Sequence, residues 1–406
     1  MFFFVDFKAA FDLLDRDILW GVLRKNLSDT LAVRIEELYG ETINQVHVNG
    51  QTSEEFWTKS GVRQGCPLSP SLFALYLADV ESVMEKGQDG GVTIGNKKIW
   101  TLAYADDLVL IATQESEMRA MIRRLEKFSN KRKLELNVQK SKIMVFKKGP
   151  SYKQKLWTWQ DQALEQTKEL KYLGYNFRSN NDPAFHVSAV VKKARSALSQ
   201  VWGIGKKLFK GNFTRLSSMF DMMVKSIILY AAEIWGWKEY STVEGIQEKF
   251  FRWCLTLPWQ TPAYVVLEET KREKLRIDSG RRAMLYEKKI LASGSFLVKE
   301  CLKEKIKNNK LLGRLGKQRT SYLNRAGISP IHLETRRESD DCVYEELFER
   351  DRDAQKQWQY EKITTSRSCP NYRHLLQPSR PEYLKRRDFP KIAKARCQLR
   401  QYWEEN

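Results

Sequence analysis

Residues 104–107 read Tyr-Ala-Asp-Asp and lie between two apolar runs, Trp-Thr-Leu-Ala at 100–103 and Leu-Val-Leu-Ile-Ala at 108–112. The pattern predicts a strand, a tight turn and a return strand, with Asp106 and Asp107 at the tip. Adjacent carboxylates repel, and holding them near a core gains nothing unless a cation joins them. Mg²⁺ meets that need, because it takes hard carboxylate oxygens and little else. A phosphoryl-transfer site gathers such ligands from more than one strand, and the best further candidate is Asp6, near the end of the apolar run 2–7. With that run beside the 101–111 hairpin, Asp6, Asp106 and Asp107 would converge at one sheet edge. Two Mg²⁺ ions there would activate an attacking hydroxyl and stabilise the leaving oxygen. Taken singly, Asp6 also reads as a helix N-cap and Asp106-Asp107 as a polar hairpin turn.

These groups need elements to hold them. The run 2–7 has a buried-strand pattern; Phe11, Leu14, Ile18, Val22 and Leu23 then recur at helical spacing, and 32–38 suggests a second helix. Segments 42–48 and 52–58 flank Asn49-Gly50 and read as a hairpin, since Asn-Gly suits a type I′ turn. After a Gly/Pro-punctuated loop at 61–68, Ser69 as N-cap and Pro70 at the first helical position predict a helix to about residue 84. Segments 94–96 and 97–103 lead to the Asp-Asp turn, 108–112 returns, and 143–146 is another strand. Met118, Met121, Ile122, Leu125 and Phe128 share one face of an amphipathic helix at 115–131. The alternation predicts an α+β fold around an antiparallel sheet. Beyond residue 150 the texture changes. After a strand-like segment at 170–177, helices are expected at 184–209, 213–235, 243–255 and 279–305. From Asn308 the chain turns polar and charged. Residues 361–400 are strongly basic with Tyr372 and Tyr383 interleaved, which fits either solvated surface or nucleic-acid contact.

Bulk properties narrow the partners. At 406 residues the chain suggests two or three domains, and 42% apolar content supplies ample cores. A net charge of +20 points to a polyanion, nucleic acid before membrane. Cys66, Cys254, Cys301, Cys342, Cys369 and Cys397 are scattered without CxxC pairs, which suits free thiols in a reducing compartment. Cys369, His374 and Cys397 lack zinc-knuckle spacing and are assigned no metal. The apolar start stops at Asp6, and the run 227–237 is interrupted by Glu233, so neither a signal peptide nor a membrane span is expected. The expectation is a soluble intracellular protein that is not secreted.

Several segments then form an ordered set: Val-Asp-Phe-Lys-Ala-Ala-Phe-Asp (5–12), Gly-Val-Arg-Gln-Gly-Cys-Pro-Leu-Ser-Pro (61–70), Tyr-Ala-Asp-Asp (104–107) and Leu-Asn-Val-Gln-Lys-Ser-Lys (136–142). This set resembles the palm motifs of reverse transcriptases from LINE-type (non-LTR) retrotransposons, especially those of arthropods. Tyr172-Leu173-Gly174 stands where that family has its primer-gripping hairpin, and Ile-Leu-Tyr-Ala-Ala-Glu-Ile-Trp-Gly-Trp (228–237) looks like its thumb. The resemblance covers roughly residues 1–300. It implies a polymerase right-hand palm at 1–180, an α-helical thumb at 181–307, and a basic, mainly helical C-terminal region at 308–406 leading towards a zinc knuckle. Fingers, which the family places ahead of the first aspartate, would be largely absent, through truncation or supply by a second chain. No endonuclease signature is present in these residues.

The resemblance also implies roles. Asp6 and Asp106 would be the principal ligands of two Mg²⁺ ions, or of Mn²⁺, with Asp107 in support. Phe11 would sit under the incoming sugar and clash with a ribose 2′-OH, unless it is a core aromatic. Gln64 and Gly65 would lie against template base and nucleotide, and Arg63 would reach phosphate. Lys140 would stand near the leaving pyrophosphate, with Lys142 as its competitor. Tyr172, Leu173 and Gly174 would hold the primer end, or form a plain core strand. The implied activity is RNA-directed DNA polymerisation with an RNA template, a DNA primer and dNTPs, in nucleus or cytoplasm and without a membrane. The alternatives are an inactive nucleic-acid-binding remnant and a group II intron maturase, whose thumb wording fits less well.

Overall fold

The apolar run at the start of the chain forms β1 (Phe2–Val5), the strand around which the first sheet is built. The computed structural model describes residues 1–40, 42–146, 153–209, 211–292, 295–307, 314–336 and 342–397. They divide into two compact units: Met1–Tyr172 with Phe177–Asn181, and Leu173–Asn176 with the chain from Asp182 on.

In the first unit β1 is joined by β2 (Thr101–Tyr104), β3 (Asp107–Ile111), β4 (Lys142–Met144), β5 (Trp157–Trp159) and β6 (Gln162–Gln166) in the order β5-β6-β4-β1-β3-β2. Four of the five pairings are antiparallel, whereas β4 and β6 run parallel, with Lys142 opposite Glu165. This mixed pairing departs from the purely antiparallel expectation. Side chains alternate between the two faces. Phe3, Val5, Leu108 and Leu110 enter the main core, while Phe4, Val109 and Met144 pack on the opposite face with Phe2, Tyr172 and Phe177.

The helices of this unit are α1 (Arg16–Asn26), α2 (Asp29–Gly40), α3 (Ser69–Tyr76), α4 (Val80–Gly87) and α5 (Glu115–Lys131). The helical spacing read from Phe11 starts too early. Asp15 caps α1 by accepting from the Ile18 amide at 3.0 Å, and Phe11 and Leu14 lie in the turn before it. The expected helix at 69–84 is broken at residues 77–79, where the Asp79 carboxylate pairs with Arg132 at 2.8 Å. Ser69 is not its cap, since its hydroxyl donates to the Arg63 carbonyl at 2.6 Å. Around Asn49 and Gly50, with φ of 50° and 81°, the expected hairpin forms as two short ribbons, 47–48 with 51–52 and 43–44 with 56–57. Both turn residues are left-handed, as a type I′ turn requires.

The second unit is helical. Asp182 caps α6 (Pro183–Leu208) at the Ala184 amide, 3.1 Å away, and Pro183 occupies the first turn. The helix expected at 213–235 is interrupted: Phe220–Lys225 adopts wide π-helical turns, and Ala231 at φ 55° separates Ser226–Ile228 from Ala232–Trp235. Next come α7 (Ser241–Cys254), α8 (Ala263–Thr270) and α9 (Leu275–Ala292), and α10 (Val343–Thr364) follows later. Val191, Phe220, Phe250 and Val265 share one core with Cys369, Tyr372, Leu384 and Phe389. The tyrosines of the basic segment therefore turn inward. Tyr372 donates to the Glu269 carboxylate at 2.5 Å, Tyr383 also donates to it, and Arg396 pairs with it at 2.7 Å. Burial with a hydrogen-bond partner explains the placement better than an exposed stacking platform does. Among the described residues, no helix is long and apolar enough to cross a membrane.

Candidate active site

β1 and β3 pair antiparallel with Val5 opposite Leu108, so one further step brings Asp6 level with Asp107. Asp6 alternates onto the same face as Phe2 and Phe4, and Asp107 onto the same face as Val109. Asp107 also stands opposite Tyr104 across the β2–β3 hairpin, leaving Ala105 and Asp106 as a two-residue turn. Ala105 has φ 54°, a left-handed conformation that costs a non-glycine residue on the order of 1 kcal/mol. All three aspartates are half-buried. The Asp107 carboxyl is raised above the usual carboxylate range, first by burial, then by the charges of Asp106 and Asp6. Among the described residues, no Lys or Arg forms an ion pair with any of the three.

This donor set fits a hard divalent cation in chemistry and in charge. Among the described residues no three acidic, His or Cys side chains already stand close enough to form a metal cage. The fit therefore rests on the unpaired carboxylates rather than on a closed coordination shell.

Residues 136–142 hold Asp6 by its backbone. The Asn137 amide donates to the Asp6 carbonyl at 2.8 Å, and the Asp6 amide donates to Ser141 Oγ at 3.0 Å, with Ser141 fully buried. Lys140 lies in the same turn, where its amide donates to Asn137 Oδ1 at 3.2 Å and its side chain is exposed. Lys142 pairs with Glu165 at 2.5 Å. Of the two lysines, Lys140 keeps an ammonium with no partner among the described residues. Asn137 and Ser141 were not singled out from sequence; an Asn opening a tight turn was the available signal.

The second loop is fastened to the turn after β1. The Val62 amide donates to the Phe11 carbonyl at 2.8 Å and the Gly61 amide to the Leu14 carbonyl at 2.7 Å. Gly61 has φ 77°, and a Cβ there would sit 2.5 Å from the Asp12 carbonyl oxygen, so this glycine is required by close approach. Gly65, at φ 79°, faces open space instead. Gln64 Nε2 donates to Asp12 Oδ1 at 2.7 Å, and Arg63 donates to the Leu38 carbonyl at 2.7 Å with its guanidinium over Tyr39. Arg16, overlooked in the sequence, ties the loop down through the Gly61 and Thr58 carbonyls at 2.9 and 2.7 Å. Phe11 is half-buried and stacks on Phe73 at 4.9 Å between ring centroids.

Tyr172 packs against Phe4, with ring centroids 5.1 Å apart. Burial, then the charges of Asp107 and Asp106, push its phenol up to about 12. The structure thus brings Tyr172 into electrostatic reach of the aspartates. Leu173 and Gly174 group with the second unit.

Residues 1–177 match the family of reverse transcriptases (RNA-dependent DNA polymerases). The relatives narrow the kind. The chain is 30% identical to the retrovirus-related Pol polyprotein from type-2 retrotransposable element R2DM of Drosophila melanogaster, over 184 residues that make up 43% of this chain and 17% of that protein. It is 31% identical over 153 residues to the Pol polyprotein from type-1 retrotransposable element R2 of Nasonia vitripennis, covering 37% of this chain and 14% of the relative. A corresponding R2 polyprotein of Popillia japonica is 28% identical over 115 residues, 28% of this chain and 19% of the relative. The chain thus spans less than a fifth of the length of each of these relatives.

Proposed function

We propose that the chain is an RNA-directed DNA polymerase of a non-LTR retrotransposon, adding dNTPs to the 3′-hydroxyl of a primer paired with an RNA template. The observation that carries this reading is the unpaired, like-charged set Asp6, Asp106 and Asp107 at one sheet edge, within the residues that match the reverse transcriptase family. On this reading the first unit is the palm and the helices after Asp182 include the thumb. Asp6 and Asp106 would hold two Mg²⁺ ions, with Asp107 in support; such ions, when bound, lower the pKa of the attacking hydroxyl and offset charge on the leaving oxygen.

The remaining work falls to this chain's own groups. The β1–β3 register and the Ala105–Asp106 turn set the spacing of the carboxylates, and the Asn137–Ser141 turn fixes the Asp6 backbone. Phe11, braced by Phe73, offers a firm ring beneath the sugar that leaves no room for a 2′-hydroxyl. The open space at Gly65 admits the nucleotide beside Gln64, while Arg63 borders that loop. The free ammonium of Lys140 lends charge, or a proton, to the departing pyrophosphate. Tyr172, Leu173 and Gly174 seat the primer end.

Primer extension on an RNA template in Mg²⁺ tests the proposal. Wild type is expected to incorporate dNTPs, and Asp106→Asn to lose about a thousandfold in rate. Equal incorporation by both proteins contradicts it. Salt-sensitive nucleic-acid binding with no incorporation by either would favour the inactive remnant instead.

A further inference from the structure

The helix expected across 213–235 fails at one place for which its composition gives no reason: Ser226–Ile228 ends and Ala231 turns left-handed at φ 55° before Ala232–Trp235 begins. The break frees both ends of Tyr230. Its carbonyl accepts from Trp235 Nε1 at 3.0 Å and lies 3.3 Å from His186 Nε2. Its hydroxyl donates to the Leu173 carbonyl at 2.9 Å. Gly174, at φ 77°, packs so closely on the same ring that a Cβ would stand 2.3 Å from the Tyr230 hydroxyl.

His186 completes the arrangement. It is fully buried on α6 and stacks on Tyr175 at 4.2 Å with 15° between the rings. The Asn176 amide donates to its Nδ1 at 3.2 Å, so Nδ1 carries no proton and Nε2–H donates to the Tyr230 carbonyl. Burial disfavours the imidazolium, in keeping with this neutral tautomer. The four residues 173–176 are therefore gripped at both ends: Leu173 and Gly174 by the Tyr230 ring and hydroxyl, Tyr175 and Asn176 by the His186 imidazole.

We propose that Tyr230 and His186 are positioning residues that set the turn at Leu173–Gly174 and through it the placement of the primer 3′-end. This rests on the polymerase reading. Neither residue touches substrate; each acts through the backbone of the turn. The break at Ala231 exists so that Tyr230 can face the turn, and Gly174 is glycine because the ring lies against it. Leu173 directly follows Tyr172, whose phenol feels the charges of Asp107 and Asp106.

Tyr230→Phe removes the hydroxyl and leaves the ring, and Gly174→Ala disturbs the same contact from the other side. Single-turnover extension with wild type and Tyr230→Phe, paired with amide hydrogen exchange over 173–176, reads the effect. The expected result is about a tenfold fall in the rate of adding the first nucleotide. The dNTP concentration for half-maximal rate should not change, and exchange should quicken at 173–176 but not along α6. A merely structural role would lower stability and alter exchange throughout the unit. Wild type and Tyr230→Phe extending at the same rate would overturn the inference and leave the polymerase reading standing. A wild type that extends no primer would overturn both.

Discussion

The molecule handles its carboxylates in two opposite ways. In the second unit Glu269, Glu287 and Asp351 are fully buried, and each is met by partners. Arg319 forks onto Glu287 at 2.9 and 2.5 Å, Arg276 and Arg325 meet Asp351 at 2.6 and 3.2 Å, and two phenols with Arg396 surround Glu269. In the first unit Asp6, Asp106 and Asp107 are half-buried, burial and the charges of the other two raise the Asp107 carboxyl, and none of the three has a cationic partner among the described residues. Buried charge is tolerated where the fold neutralises it. The second unit pairs these carboxylates, while the first leaves three together, the arrangement that the proposed metal site requires.

Breaking a structural pair should have the largest effect on stability. Glu287→Gln strips the buried Arg319 of its main partner and should cost about 3–5 kcal/mol in urea unfolding, while Asp106→Asn, which relieves repulsion, should leave the midpoint unchanged or slightly higher. The reverse ranking would erase the distinction between the two carboxylate classes. Glu244 sharpens the comparison, because it is buried and among the described residues its donors are the backbone amides of Leu275 and Arg276 at 2.9 and 2.8 Å, and burial pushes its carboxyl up to about 7. A raised acid favours the fold when protonated. Its contribution is therefore complete below the unfolded value of 4.5 and is lost as pH rises through about 7. Stability measured at pH 5 and pH 8.5 should differ by about 3 kcal/mol more in wild type than in Glu244→Gln.

The lysine pair gives the smallest contrast. Lys140→Ala should slow extension about tenfold or more with stability unchanged. Lys142→Ala should leave the rate alone and cost less than about 1 kcal/mol, since its bond to Glu165 is a partly exposed ion pair. Identical rates for the two variants would remove Lys140 from the site.

What could be read from sequence followed from how local the signal was. The helix Glu115–Lys131 and the aspartate hairpin were legible because an amphipathic face and a turn between apolar runs are written in adjacent residues. Asp6 was legible as a candidate because a lone carboxylate ending an apolar strand is chemically out of place. Breaks in helices were not legible. The interruption at residues 77–79 answers to Arg132, and the one at Ala231 to Leu173 and His186, all distant in sequence. Tyr372 and Tyr383 misled for the same reason, since their partner Glu269 lies more than a hundred residues earlier. Ser141 drew no role from the sequence, yet it is the residue that bonds the Asp6 amide.

Mn²⁺ binding, followed by loss of the free-ion paramagnetic resonance signal, addresses the aspartate cluster without depending on turnover. Wild type should bind the ion, and Asp6→Asn and Asp106→Asn should each bind at least about tenfold more weakly. Glu287→Gln, where it remains folded, should bind as wild type does. Unchanged Mn²⁺ affinity in both aspartate variants would contradict the claim that these three carboxylates are left unpaired to receive a metal.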